Sequence, residues 1–484
     1  MLKPDYATAE KLAKNYSVIP VCREILGDST TPIAVLKRLA AKSSRYFLLE
    51  SVEGGEKWGR YSFLGCDPKL RIFCQNGKVR IQGEEGEYET TEKPLEAVRK
   101  LMKKYKAPVL PDYPPFTGGL VGYFSYSVIG LAEPVLHIKN EKFPDFDLFL
   151  FDKVIAYDHL KQRLLFLVNI KTDDLEENYR RADQEICRLR KLLEEAEDKQ
   201  EDQREKMDFQ CITGREEYYE MVEKTKQHIR RGDIFQAVIS RQFQSPMKGS
   251  LLNPYRLLRT SNPSPYMVYF HTEALELMST SPETLVKLHN GKVTTFPVAG
   301  SRPRGKNEEE DRKLEKELLQ DEKELSEHNM LVDLGRNDLG KICRFGSVKV
   351  TEYMAVHKYS KIMHICSQVE GMIREDKDAL DAIEAVLPAG TLSGAPKIRA
   401  CQIIEELEKE ERGIYGGALG YLDFTGNMDT CIAIRMAVKK DQKVYVQAGG
   451  GIVADSVPEK EYEESANKAA AVIQAIIQAE EEGI

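Results

Sequence analysis

The chain has 484 residues, of which 42% are hydrophobic and 31% charged, and its formal net charge is −8. This composition predicts a globular protein with a large buried core and two or three domains. Its scattered cysteines contain no C-x-x-C pair, which argues against a disulfide framework or a zinc ribbon. With no basic block and no apolar run long enough to span a membrane, we expect a cytoplasmic protein that binds neither nucleic acid nor membrane.

The first part of the chain reads mainly as strands and turns. Hydrophobic runs at 45–54, 69–81 and 146–158 predict strands. Asn76-Gly77 lies inside the second run and is typical of the tight turn of a β-hairpin. This region therefore predicts hairpins and sheets in place of alternating strands and helices.

A boundary between two domains is expected near Met207. Apolar positions spaced by three and four predict an amphipathic helix from Thr172 to Ala196, and the charged segment 197–206 then reads as a linker. The next helix is predicted to open with a capping box at Thr213–Glu216. We therefore predict an N-terminal domain at 1–206 and a C-terminal domain at 207–484.

The C-terminal part mixes strand patterns with long helices. Successive strands often lack a helix between them, so a regular βαβ alternation is absent. This arrangement favours an α+β fold with large, mostly antiparallel sheets. It argues against a doubly wound or barrel fold.

Two glycine-rich segments resemble nucleotide-binding motifs and fail as such. Gly449–Ala454 fits G-x-G-x-x-A, but extended residues follow it and no acidic residue stands at the distance a ribose requires. Gly390–Lys397 lacks the G-K-[ST] ending, and Pro396 removes an amide that a phosphate loop needs. Glycines that allow close approach of the backbone are the better interpretation.

Two pairs of glutamates are candidates for a metal site. Glu324 and Glu327 share one face of a predicted helix, and Glu461 and Glu464 repeat the spacing on another, opened by Ser456. Four carboxylates from two helices form the oxygen-rich environment that Mg²⁺ prefers. Charged helix faces are usually just solvated, and the spacing alone does not decide between these readings.

Histidines and small nucleophiles give no competing centre. His364 is either a buried core residue or an acid or base that faces a cleft. No serine or cysteine stands in a G-x-[SC]-x-G elbow, so the chain encodes no glutaminase of that kind.

An ordered series of motifs resembles the chorismate-utilising enzymes, and among them the anthranilate synthase component I family. The series covers almost all of the C-terminal part and reaches into the N-terminal part. Its segments are Leu48–Ser51, Asn262–Met267, Thr294–Gly305, Glu324–Asp338, Lys361–His364, Pro388–Lys397, Tyr415–Tyr421, Asp429–Arg435, Gln447–Gly451 and Glu461–Lys468. The resemblance implies that the antiparallel sheets pack as a sandwich with surrounding helices.

The resemblance also implies a reaction. Chorismate and ammonia would give aminodeoxyisochorismate with Mg²⁺, and loss of pyruvate would then yield anthranilate. By similarity, Glu327 and Glu464 would bind Mg²⁺, with Glu324 and Glu461 completing its surroundings. Glu283 would protonate the leaving hydroxyl, and His364 would act in the elimination step. The positions implied to touch substrate are Gly300, Ser301, Thr391, Tyr415, Arg435, Gly449, Gly450, Gly451 and Lys468.

Two positions separate relatives within this family. Isochorismate- and salicylate-forming enzymes carry a lysine base where this chain has Gln236, and 4-aminobenzoate enzymes usually carry a lysine where it has Ala299. Neither residue here supplies a base or an amine, which favours ammonia as nucleophile and anthranilate as product. An aminodeoxychorismate synthase component I, or a component serving both routes, is the alternative. Ser301 replaces the usual threonine and keeps its hydroxyl.

The resemblance further implies a partner and an inhibitor. Ammonia would come from a separate glutamine amidotransferase subunit, and tryptophan would bind near Glu50, Ser51, Pro265, Tyr266 and Met267. The alternative for 48–51 is a buried strand of purely structural importance. A non-catalytic amino-acid-binding scaffold is the remaining hypothesis, and the intact set of glutamates and His364 argues against it.

Overall fold

The computed structural model describes residues 2–51, 59–84, 86–194, 207–359 and 362–482. The helices of these ranges are α1 (Tyr6–Leu12), α2 (Pro32–Ala40), α3 (Pro94–Met102), α4 (Ile129–Ala132), α5 (Leu175–Glu194), α6 (Arg215–Arg230), α7 (Leu252–Ser261), α8 (Glu308–Leu318), α9 (Glu322–Gly340), α10 (Ala379–Val386), α11 (Lys397–Leu407) and α12 (Pro458–Glu482). None of the helices in these ranges combines the length and apolarity needed to cross a bilayer.

The strands outnumber the helices. In chain order they are β1 (Val18–Leu26), β2 (Tyr46–Glu50), β3 (Tyr61–Cys66), β4 (Leu70–Gln75), β5 (Lys78–Gly83), β6 (Gly86–Thr90), β7 (Gly119–Phe124), β8 (Phe146–Phe151), β9 (Lys153–Asp158), β10 (Arg163–Lys171), β11 (Gln210–Cys211), β12 (Gln236–Pro246), β13 (Tyr266–His271), β14 (Glu276–Ser281), β15 (Thr284–His289), β16 (Lys292–Thr295), β17 (Val298–Pro303), β18 (Lys349–Lys358), β19 (Ile362–Met372), β20 (Gly394–Ala395), β21 (Ala418–Asp423), β22 (Met428–Ile432), β23 (Met436–Lys440) and β24 (Lys443–Ile452).

The strands form two sheets, each of 12 strands within the described ranges. The first sheet has the order β1-β10-β9-β3-β2-β13-β14-β23-β24-β12-β11, and β20 also pairs with β12. The second has the order β17-β19-β16-β15-β22-β21-β7-β8-β4-β5-β6, and β18 also pairs with β19. Neighbouring strands run antiparallel in both sheets. The predicted α+β class with large antiparallel sheets is confirmed.

The two sheets pack face to face as a sandwich. Side chains alternate along β2: Phe47 and Leu49 join an inner cluster that includes Phe149 of the second sheet, whereas Tyr46 and Leu48 face the helices outside. Helices α2, α5, α7 and α12 cover the outer face of the first sheet, and α3, α9 and α10 cover that of the second. Burial of these apolar faces is the main source of stability.

The predicted hairpin turn and first amphipathic helix are confirmed, whereas a predicted helix start is wrong. Asn76 and Gly77 both have positive φ angles, 54° and 72°, in the turn that joins β4 to β5. The helix expected after Thr172 is α5, and the linker predicted at 197–206 lies outside the described residues. The capping box at Thr213 is wrong, because α6 starts one residue later and its N-cap is Gly214, which has no side chain to cap with.

The boundary predicted near Met207 falls between strands that share sheets. β2 pairs with β13 in the first sheet, and β7 pairs with β21 in the second. Each pair joins a strand from before the boundary to one from after it. The two-domain division stays a prediction.

Candidate active site

A cavity of about 520 Å³ lies where β12 and β24 of the first sheet meet β17 and β19 of the second, beneath α9 and α12. Residues singled out from the sequence line it together: Gln236, Glu283, Gly300, Ser301, Glu324, Glu327, His364, Thr391, Tyr415, Arg435, Gly449, Gly451, Glu461, Glu464 and Lys468. Gly450 stands directly behind this lining, since a Cβ built on it would be 3.1 Å from Glu461 Oε2. Segments far apart in the sequence thus converge on one cavity.

Glu283 lies at a crossover between the sheets, in the two-residue link from β14 to β15. The side chain is 8% exposed, and this burial raises the pKa of its carboxyl to about 8. Thr391 Oγ1 donates a hydrogen bond to Glu283 over 3.2 Å. At neutral pH the carboxyl is therefore mostly protonated and able to donate a proton.

His364 lies on β19 and is held by the backbone of the neighbouring strand. Its Nδ1 is 3.1 Å from the carbonyl oxygen of Gly300. Because a carbonyl only accepts, Nδ1 carries the hydrogen and Nε2 keeps its lone pair. Burial lowers the pKa of His364, and the nearby Arg435 lowers it further. The imidazole is therefore a neutral base.

The four glutamates come from two helices that approach the same side of the cavity. Glu324 and Glu327 project from α9, and Glu461 and Glu464 project from α12. Burial raises the pKa of Glu327 and of Glu461, and the neighbouring carboxylate on the same helix raises each further. Such mutual repulsion is relieved by a cation.

This donor set fits a hard divalent cation. The four glutamates offer carboxylate oxygens, which are the ligands that Mg²⁺ prefers, and the cavity leaves room for water to complete its coordination. Within the described residues, no three His, Cys, Asp or Glu side chains are already grouped closely enough to hold a metal ion. The side chains of α9 and α12 would therefore have to close around the ion.

Other polar groups bind the glutamates on either side. Lys468 Nζ donates to Glu464 Oε1 over 2.7 Å, and Arg302 Nη1 lies 3.5 Å from Glu324 Oε1. Gln236 Nε2 lies 3.4 Å from Glu327 Oε1. Among the described residues the buried Oε1 of Gln236 has no hydrogen-bond partner, which leaves an acceptor at the cavity.

The glycines of β24 allow the backbone to approach β12 closely. A Cβ on Gly449 would lie 2.3 Å from Ile239 O, and one on Gly451 would lie 2.2 Å from Gln236 Nε2. β24 continues to Ile452 and α12 begins only at Pro458, so no helix opens on these glycines. This geometry agrees with the rejection of a dinucleotide fingerprint.

Arg435 and Tyr415 supply further polar groups to the first cavity. Arg435 has a φ of 49° in the break between β22 and β23, and its Nη1 donates to Lys468 O over 2.9 Å. The remaining guanidinium donors suit a bidentate carboxylate. Burial raises the pKa of Tyr415 to about 12, so its hydroxyl stays protonated.

A second cavity of about 390 Å³ lies between the two sheets. The residues predicted to hold an inhibitor line it together: Glu50, Ser51, Pro265, Tyr266 and Met267. Glu50 is buried and accepts from Arg259 Nε over 2.7 Å and from Tyr255 over 2.9 Å. In the described part of the chain the buried Ser51 hydroxyl has no hydrogen-bond partner.

Sequence reasoning missed part of each lining. Lys323 and Asn467 line the first cavity, and both neighbour residues that were singled out. A full projection of the α9 and α12 faces would have included them. Arg60, Tyr61 and Lys287 line the second cavity, and their positions depend on strand pairing that no local pattern reveals.

Comparisons with known proteins identify the family of the chain. Residues 46–474 match the family of chorismate binding enzymes. The chain is 45% identical over 99% of its length to all of anthranilate synthase component 1 of Acetivibrio thermocellus, and 46% identical to that of Aquifex aeolicus over 97% of each chain.

A solved structure, anthranilate synthase component I from Streptococcus pneumoniae TIGR4, matches with a TM-score of 0.77 and 36% identity over 93% of this chain and 98% of that one. The menaquinone-specific isochorismate synthase MenF from Escherichia coli, 16% identical, shares the fold with a TM-score of 0.70 over 97% of this chain and 98% of that one. The chain therefore belongs to the chorismate binding enzymes and, among them, to the anthranilate synthase component 1 family.

Proposed function

We propose that the chain converts chorismate and ammonia to anthranilate and pyruvate, with Mg²⁺ bound in the first cavity. The observation that carries the proposal is that Glu283 and His364 line the same cavity as the four glutamates. Burial raises the pKa of the Glu283 carboxyl and lowers that of the His364 imidazole, so the cavity contains both a protonated acid and a neutral base. The overall reaction needs an acid to release the hydroxyl and a base to complete the elimination. The family identity supports the same assignment.

Glu283 acts first, as the general acid. Its proton goes to the departing ring hydroxyl, which then leaves as water, while ammonia forms the new carbon–nitrogen bond. The buried Oε1 of Gln236 accepts an N–H of the incoming ammonia, and the glutamine itself cannot take a proton from water as a lysine base would. Ala299 offers no competing amine.

His364 acts second, as the base of the elimination. Its Nε2 takes the ring proton while the carbon–oxygen bond to the enolpyruvyl group breaks, and the ring becomes aromatic. The group leaves as the enolate of pyruvate and takes a proton at its methylene carbon, which leaves His364 neutral again when the imidazolium supplies that proton. Arg435 holds a substrate carboxylate in a fixed orientation during both steps. The Gly449–Gly451 backbone allows the substrate to lie against β24.

Glu327 and Glu464 would hold the Mg²⁺, and Glu324 and Glu461 would complete the site. When bound, the ion supplies positive charge that orients the ring carboxylate and stabilises the charge of the departing group. Lys468 and Arg302 hold one glutamate of each helix in place.

A glutamine amidotransferase subunit is the proposed source of ammonia. The chain contains no G-x-[SC]-x-G elbow. The name component 1 of its relatives is consistent with a second component. Glutamine-dependent activity would therefore require a hetero-complex. The isolated chain would be active with ammonium salts as the source of ammonia.

Tryptophan is the proposed inhibitor, bound in the second cavity. An indole suits the apolar walls formed by Met267 and Phe63. The Ser51 hydroxyl, which has no hydrogen-bond partner among the described residues, offers a hydrogen bond to the amino-acid group. The cavity lies apart from the first one, so inhibition would be allosteric.

The deciding experiment incubates the purified chain with chorismate, MgCl₂ and an ammonium salt, and follows the product by fluorescence and mass. Anthranilate and pyruvate in equal amounts are expected, with no activity on glutamine until an amidotransferase subunit is added. Formation of 4-amino-4-deoxychorismate alone would overturn the proposal in favour of the 4-aminobenzoate route. Removal of Mg²⁺ with a chelator should stop turnover.

A further inference from the structure

Glu283 is held by two strands that belong to different sheets. β14 ends at Ser281 in the first sheet, and β15 begins at Thr284 in the second, so Pro282 and Glu283 bridge the sandwich. The second cavity lies between the same sheets, with Met267 on one wall and Lys287 on the other. A molecule bound in this cavity can therefore change the distance between the two strands that hold Glu283.

Tyr266 connects the second cavity to both ends of this bridge. Its backbone pairs with Ser281 across the β13–β14 ladder. Its hydroxyl lies 2.8 Å from Asp429 Oδ1 and 2.9 Å from Thr284 Oγ1. A carboxylate only accepts hydrogen bonds, so the Tyr266 hydroxyl donates its hydrogen bond to Asp429. The Thr284 hydroxyl then donates one to the tyrosine oxygen.

The backbone beside Glu283 is irregular where Thr284 binds. The register of β15 with β22 shifts between Thr284 and Val286, which is a β-bulge or similar irregularity. Bulges beside active sites re-aim side chains and interrupt the ladder. The Thr284 hydroxyl is one of the contacts that hold this irregular stretch, beside the hydrogen bonds from Ile432 N to Glu283 O and from Thr430 Oγ1 to Val286 O. On the other side, Thr391 holds the Glu283 carboxyl itself.

We propose that Tyr266 and Thr284 form a positioning strut through which the occupant of the second cavity controls the placement of Glu283. The inference rests on the proposed function, in which Glu283 is the acid and tryptophan fills the second cavity. An occupant that moves the Tyr266 ring draws the Thr284 hydroxyl with it or breaks their hydrogen bond. Glu283 then leaves its position against the substrate. Thr284 acts through Glu283 and does not touch the reacting atoms.

The test compares Thr284→Val, which removes the hydroxyl with little change of shape, with Thr284→Ser, which keeps it. Ammonium-dependent kcat, the KM for chorismate and the kcat–pH profile are measured with and without saturating tryptophan. Tryptophan binding is measured by calorimetry. Thr225→Val is the matched control: Thr225 is buried on α6, its hydroxyl donates to Met221 O over 2.8 Å, and it lines neither cavity.

We expect Thr284→Val to lower kcat about fivefold, the size of one hydrogen bond, with KM unchanged. The alkaline limb of its profile should move to lower pH, because a displaced Glu283 is better hydrated. The variant should still bind tryptophan, but its remaining rate should respond to tryptophan far less than that of the wild type. Thr284→Ser and Thr225→Val should behave like the wild type.

Two outcomes overturn the inference in distinguishable ways. If tryptophan inhibits the wild type and Thr284→Val equally, the strut is wrong and the proposed inhibition stands. If tryptophan leaves the wild type fully active, the proposed inhibition and the strut as its route both fail. Should Thr284→Val not fold, Tyr266→Phe removes the same hydrogen bond from its other end. Because Tyr266 also lines the second cavity, its inhibition is compared at tryptophan concentrations that calorimetry shows to be saturating, and it must still be weaker than in the wild type.

Discussion

Replacing Glu283 by glutamine should stabilise the fold and destroy the activity. The side chain is buried in the link between β14 and β15, and the burial raises its pKa from 4.5 to about 8. Glutamine has nearly the same shape, carries no charge at any pH and cannot donate a carboxyl proton. The variant therefore removes the cost of the buried charge together with the acid.

The size of the stabilisation follows from the pKa shift. The folded protein holds the proton more tightly than the unfolded chain. Below pH 4.5 the carboxyl is mostly protonated in both states, so Glu283 does not lower the free energy of unfolding there. The cost grows as the pH rises through 4.5 to 8 and is complete above pH 8. A rise of the pKa from 4.5 to about 8 lowers the free energy of unfolding by at most roughly 5 kcal/mol once Glu283 is ionised. Above pH 8 the variant should thus unfold at higher denaturant concentration than the wild type, and near pH 4 the two should coincide.

Urea unfolding at several pH values measures the free-energy difference, and the ammonium assay measures turnover. A general acid contributes about 10²- to 10⁴-fold, so kcat should fall by that factor. Glu384→Gln is the matched control, since burial also raises the pKa of Glu384 and this residue lines neither cavity. A constant stability difference from pH 4 to pH 9, or a fully active variant, would refute the reasoning.

Three further predictions concern the metal, the substrate and the inhibitor. Glu327→Gln and Glu464→Gln should each weaken Mg²⁺ binding in calorimetry and abolish turnover, whereas full activity in both would refute the proposed ligands. Arg435→Lys should raise the KM for chorismate by about tenfold, because an ammonium loses the bidentate geometry; an unchanged KM would place the carboxylate elsewhere. Ser51→Ala should weaken tryptophan binding about fivefold, the worth of one hydrogen bond, as measured by the concentration that halves the rate; unchanged inhibition would exclude contact with this hydroxyl.

The sequence predicts the parts of this structure that depend on local pattern. Consecutive strand patterns without intervening helices predicted antiparallel sheets, and Asn76-Gly77 predicted its hairpin correctly. The i, i+3 spacing placed Glu324 beside Glu327 because helix geometry alone fixes which residues share a face. The start of α6 was misplaced by one residue because a helix end depends on backbone geometry as well as on residue type.

Features that depend on tertiary structure were beyond such patterns. Spacing cannot reveal that α9 and α12 meet at one cavity, since 134 residues separate Glu327 from Glu461 in the sequence. The two glutamate pairs left a shared metal site as one of two interpretations, and only the ordered resemblance to a family favoured it. Likewise Ser281-Pro282-Glu283 reads as an ordinary exposed turn, and its burial arises because the link crosses between two sheets.

Burial in one cavity also explains how the acid and the base acquire their roles. In water a glutamate, with a pKa of 4.5, loses its proton before a histidine, with a pKa of 6.5. Burial disfavours the charged form of each, so it raises the pKa of Glu283 to about 8 and lowers that of His364. The order is inverted, and between these two pKa values the carboxyl holds a proton while the imidazole does not. The reaction first donates and then removes a proton, so it needs this state. Exclusion of water is the largest cause of both pKa shifts, and the nearby Arg435 adds to that of His364.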